Sequence, residues 1–210
     1  MGGYVMVYPK IVMSRILFLI ISLLCATLFI SCKTLLFKGM FGSVVKIENI
    51  KDYEGYWESD DGMIIAIKFL GDSSTIVTGL LDWDKDKEMF KVISEKSTIT
   101  KIKDATFLNG KTNKNNYKIT QFELWKSDFT DKVQLRMWDP DVDLFEKLVK
   151  NKELPGEIVT KKDKDGKVVT DSVLVDSLSE DELAQLMDKN NLFDYKNVQV
   201  LRRVWKSIEK

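Results

Sequence analysis

Histidine is absent from the 210 residues, and only two cysteines and three prolines occur. The first absence excludes every mechanism that needs imidazole: a Ser-His-Asp triad, a Cys-His pair, a His metal ligand. Both cysteines, Cys25 and Cys32, lie in the apolar N-terminal stretch. The rest of the chain therefore holds no disulfide framework, no thiolate zinc site and no thiol nucleophile. Net charge is missing too, since Lys+Arg and Asp+Glu total 32 each. A nucleic-acid binder carries a basic excess on one face, so no nucleic-acid partner is expected. Arginine is scarce: Arg15, Arg136, Arg202 and Arg203 are all there are, which argues against bidentate phosphate recognition. What remains is a globular composition, 44% hydrophobic and 30% charged. Any catalysis would have to rest on Asp, Glu, Lys, Tyr, Ser or Thr.

The N-terminus carries the clearest signal. Residues 16–30 contain no charge, follow Lys10 and Arg15, and precede Ser31-Cys32-Lys33. A bilayer span needs about 20 apolar residues, whereas a basic segment followed by a shorter apolar run is a secretory signal. The run Phe29-Ile30-Ser31-Cys32 resembles the lipobox of bacterial lipoproteins, in which a small residue precedes the acylated Cys. Phe29 stands where Leu is usual, a departure that spirochaetal lipoproteins tolerate. Cys25 fits poorly, because bulky Leu24 precedes it. The resemblance implies that residues 1–31 are a signal peptide and that Cys32 is lipidated, with palmitate among its acyl chains. The protein would then sit in the cell envelope, lipid-anchored to a bacterial membrane on the outer-membrane or periplasmic face, with membrane lipid as its first partner. The alternative is a single-pass anchored protein with incidental cysteines. Residues 32–50 are read as a membrane-proximal tether. Because Thr34 to Phe41 is apolar, this tether is expected to lie on the bilayer surface rather than fold back.

Residues 51–210 suit one mainly β domain. Met63–Leu70 is an apolar run after the Asp61-Gly62 turn signal, and Ser74–Leu81 is rich in β-branched residues. Phe90–Ser94 and Thr98–Lys103 read as two short strands. Asn109-Gly110 reads as a turn before a strand over Tyr117–Lys126. Val133, Leu135 and Met137 alternate with polar neighbours. Asp139-Pro140 predicts the start of a helix that carries Val142, Phe145, Leu148 and Val149 and stops before Pro155. A hairpin around Asp163–Gly166 follows, and Ser179 with Glu182 makes a capping box for a second helix. Asn197–Lys206 is a last strand, with Val198, Val200 and Arg202 on one face. The fold class is α+β, mainly β: a small antiparallel barrel or sandwich with two helices in the C-terminal third.

Few constellations carry chemistry. Asp82, Asp84, Asp86 and Glu88 alternate, but Lys87 and Ile93 stand where an EF-hand needs Gly and a carboxylate. Asp139, Asp141 and Asp143 suit a helix N-terminus. No metal or other cofactor is expected. No Asp/Glu pair stands in the apolar setting that would mark a glycosidase, and no enzyme activity is expected. The five tryptophans read as core more readily than as a ligand box. The run Gly55-Tyr56-Trp57 resembles the Gly-x-Trp motif of lipocalins. That resemblance implies that Trp57 closes a barrel floor against an arginine of a late strand, Arg202 or its neighbour Arg203, with Arg202 on the expected inward face. The helix–hairpin insert at 139–175 departs from that family. The function expected is a non-enzymatic binding module for a small apolar or lipid-like ligand or an envelope component. The alternative is a surface protein that binds or adheres to envelope or host proteins.

Overall fold

The computed structural model describes residues 33–71, 73–84, 87, 89–127 and 132–205, with the backbone alone at 81–84, 89–90 and 205. Lys33–Lys210 forms one compact unit. The expected signal peptide and Cys32 lie outside the described residues. Among the described residues no helix is long and apolar enough to cross a bilayer.

Two short strands come first, β1 (Thr34–Phe37) and β2 (Ser43–Val44), and then a 3-10 turn over Ile50–Asp52. A seven-strand meander follows: β3 (Gly55–Ser59), β4 (Ile64–Leu70), β5 (Thr75–Asp84), β6 (Met89–Ile102), β7 (Ala105–Lys111), β8 (Tyr117–Lys126) and β9 (Val133–Trp138). Next come helix α1 (Val142–Lys150), the hairpin β10 (Gly156–Lys162) and β11 (Val168–Val175), helix α2 (Glu180–Lys189) and the last strand, β12 (Gln199–Trp205). Each meander strand pairs antiparallel with the next, and β12 inserts between β9 and β3. The result is a closed eight-stranded antiparallel barrel, which decides between barrel and sandwich. Closure removes the unpaired edges that an open sheet would present.

The period of two along each strand sorts side chains into two cores. Trp57, Ile67, Phe69, Ile76, Ile99, Leu108, Phe122, Leu135 and Leu201 fill the lumen. Strand β7 is buried on both faces, with Leu108 inside and Phe107 in a second core outside the barrel. That outer core packs β1, β11, α1 and α2 around Phe37, Phe41, Phe107, Phe145 and Phe193. Phe41 is 1% exposed and meets Phe107 edge to face, with ring centroids 5.0 Å apart. Both cores lie wholly within Lys33–Lys210.

Several expectations need correction. Residues 34–41 are no bilayer-lying tether: β1 pairs in parallel with β11, and Leu35 and Phe37 are buried in the outer core. The apolarity that suggested lipid contact is spent on protein contact. The two short strands at 90–94 and 98–103 are one strand, β6, because its upper half stands in solvent and tolerates Glu95 and Lys96. Asn109-Gly110 is not a turn but the interior of β7, and the turn lies at 112–116. Helix α1 starts two residues later than expected. Its N-cap is Asp141, whose side chain accepts from the Leu144 N–H, while Pro140 is held in a bridge to Phe193. The capping box of Ser179 and Glu182 is present at α2.

Candidate functional site

The chain enters the barrel across one end. The N–H of Val45 bonds the Ile99 carbonyl, and that of Ile47 bonds the Ser73 carbonyl. The 3-10 turn then lays Tyr53 over the lumen, edge-on to Phe69 and Phe122 with both centroid distances 6.1 Å. Gly55 turns the chain into β3 at φ 130°, a backbone region that side-chain-bearing residues rarely adopt. Two residues on, Trp57 is fully buried, and its indole N–H donates to the Tyr53 carbonyl at 2.8 Å.

The two candidate arginines divide. Arg203 lies with its guanidinium 4.8 Å above the Trp57 ring and donates to the Asp52 carbonyl. Arg202 faces outward and pairs with Asp60 at 2.7 Å, with both side chains more than half exposed. The expected inward face of the last strand was therefore one residue out of register: Leu201 and Arg203 point in, and Val198 is exposed. A slip of one residue swaps the faces of a strand, and the β-branched pair Val198 and Val200 gives the opposite face the composition of an inward row.

Above this plugged end lies a cavity of about 240 Å³. Its walls are Ile65 and Ile67 from β4, Ile76, Thr78 and Leu80 from β5, Ile93 and Glu95 from β6, with Leu108, Phe122, Leu135, Met137 and Leu201 completing the ring over Tyr53. The rows Ile76, Thr78, Leu80 and Ser97, Glu95, Ile93 face each other across the β5–β6 ladder. Ile76 to Leu80 spans four strand residues, about 13 Å along the barrel. None of Trp57, Trp125 and Trp138 lines the cavity. Trp125 stacks instead on Arg136, 4.5 Å from its ring.

Among the described residues, the polar ones that line the cavity are Tyr53, Thr78 and Glu95. Burial pushes the Tyr53 hydroxyl up from its ordinary value, and neighbouring Asp52 adds to the shift, so it stays a neutral donor at physiological pH. Glu95 is the one charged group among the lining residues. Its place was not seen in the sequence, although one signal was available: it shares a parity with Ile93, Ser97 and Ile99, so it is a charge on an inward row. Larger depressions of about 520 Å³ also exist, but the one at the plugged end is a surface groove edged by Lys46, Glu48, Lys101 and Lys126. Among the described residues no group of three or more Cys, Asp or Glu side chains is placed to hold a metal ion. Compared with protein-family models, with curated proteins and with solved structures, the chain matches none.

Proposed function

We propose that this chain is an exported lipoprotein, acylated at Cys32, whose barrel is a non-enzymatic binding module for a small apolar or lipid-like ligand. The observation that carries the reading is the apolar cavity of about 240 Å³ inside a closed barrel. Ligand pockets are concave and mostly apolar with a few polar groups, and an apolar cavity of about 150 Å³ already admits benzene. A lipocalin-like reading draws support from the up-and-down meander, Gly55 and Trp57 on its first strand, and Arg203 of its last strand over Trp57. The surface-interaction reading has its own support in Val92 and Ile93, 69% and 47% exposed where β6 rises beyond the rim.

Native mass spectrometry of purified residues 33–210 tests the ligand reading. An adduct of a few hundred daltons that is lost on denaturation is expected. A bare monomer that also takes up no added alkyl compound overturns it and favours the exposed β6 surface. Anchoring is tested separately by palmitate labelling of cells, which Cys32→Ala should abolish; equal label in both strains refutes it.

A further inference from the structure

Gly110 has no conformational reason to be glycine. It sits within β7 in ordinary strand geometry, without the positive φ that Gly42, Gly62, Gly71 and Gly166 adopt. Glycine in a strand interior weakens the strand and often marks a close approach. The approach here is made by Glu95: a Cβ on Gly110 would lie 2.5 Å from its Oε1 and 3.4 Å from the Ser97 Oγ. Gly110 follows Leu108 on the inward parity of β7 and pairs with Ser97, the inward neighbour of Glu95. The bare Cα thus makes room for a carboxylate at the mouth of the cavity. No hydrogen bond or ion pair among the described residues engages that carboxylate. Lys118, opposite Gly110 on β8, is within 4.0 Å of no carboxylate among them either.

We propose that Glu95, seated over Gly110, reads a cationic head group, and that the cavity takes a single-chain amphiphile with an ammonium end. This rests on the ligand-binding reading above. The tail lies against Ile65, Ile67, Ile76 and Leu108, and the ammonium donates to the Glu95 carboxylate at the mouth. A carboxylate at the rim of an apolar lumen discriminates between head groups more than it adds to tail binding, because a charge-assisted hydrogen bond depends on the partner's sign.

The test is calorimetric titration of residues 33–210 with decylammonium, decanol and decanoate at neutral pH. Decylammonium is expected to bind about tenfold tighter than decanol, with decanoate weakest. The preference should shrink in high salt, because the mouth is open to solvent. Glu95→Gln should abolish the preference. Gly110→Ala should do the same by displacing the carboxylate, which sits at the end of a flexible side chain and can move without disturbing the fold. Equal binding of all three compounds, or tightest binding of decanoate, overturns the head-group assignment while leaving the apolar cavity reading intact. Failure of all three to bind overturns both.

Discussion

Replacing Asn109 by leucine separates two views of the Asn-Gly dipeptide. If it were a solvent-exposed turn, the substitution would cost a few tenths of a kcal/mol. In the folded chain Asn109 is 1% exposed and its amide is fully used. Its Oδ1 accepts from the Phe41 N–H at 2.7 Å, and its Nδ2 donates to the Thr100 Oγ1 at 2.7 Å. Thr100 in turn donates to the Phe41 carbonyl. Leucine fills similar space but leaves the Phe41 N–H buried beside the outer core without an acceptor. One such orphan costs about 1–3 kcal/mol, and the network loses a further bond worth about 1 kcal/mol. A loss of about 2–4 kcal/mol is expected, a large share of the roughly 5–15 kcal/mol that holds a domain folded. Urea denaturation of residues 33–210, followed by tryptophan fluorescence, should show the midpoint falling by about 1 M or more at unchanged slope, given slopes of about 1–3 kcal/mol/M. Thr100→Val should cost less, about 1 kcal/mol, because the Phe41 carbonyl stays 3.4 Å from Asn109 Nδ2. The double variant should lose less than the sum, since both side chains serve the same peptide groups. A midpoint unchanged within about 0.2 M for Asn109→Leu would refute the network's role.

Arg203→Met should destabilise by about 1–3 kcal/mol through loss of the Trp57 stack and the bond to the Asp52 carbonyl. Arg202→Ala, which breaks an exposed pair, should stay within about 0.5 kcal/mol; equal melting shifts for the two would contradict the register of β12. Glu146 in α1 is 6% exposed and accepts from Lys150 at 2.5 Å, Lys33 at 2.6 Å and Thr170 at 2.7 Å. The Lys150 bond first, then Lys33 and Thr170, hold its carboxyl at about 2. The folded value lies below the unfolded one, so this stabilisation is complete above about pH 4.5 and is lost as pH falls toward 2. Screened through the exposed Lys150, it is worth about 1–2 kcal/mol. Glu146→Gln should flatten that part of the stability–pH curve, and an unchanged slope between pH 4.5 and 2 would count against it.

The barrel was legible where local pattern and final environment agree. Ile64–Leu70 and Val133–Trp138 are apolar on an inward row and lie in strands with those bounds, as does Tyr117–Lys126, which puts Phe122 and Leu124 inward and Ile119 in the outer core. Illegibility came from residues whose use is set by distant chain. Asn109-Gly110 has the composition of a turn, yet Phe41, 68 residues away, supplies the amide's partner, and Glu95 fills the space beside the glycine. Thr34–Phe41 has the composition of a lipid-facing segment, but its apolar side chains meet α1 and β11. Of the cavity, Leu135 and Met137 followed from strand alternation, whereas Leu201 did not, because Val198 and Val200 give the opposite face of β12 the composition of an inward row. Glu95 did not, because a charged residue in a long strand looks like a break until the neighbours of β6 are known.

Closure of this barrel is a long-range event. Every neighbouring pair in the meander is a hairpin, but β12 must find both β3 and β9, and its contact between Arg203 and the Asp52 carbonyl joins residues 151 apart in sequence. Seven strands can assemble in order as the chain is made, with two raw edges waiting. Such non-local pairing slows folding, and unpaired edges invite other chains to add on. A chain stopped short of Gln199 would be a curled sheet with no enclosed space at all. The cavity therefore comes into existence only with β12, so that possession of an interior is itself a sign that synthesis has passed Gln199–Trp205.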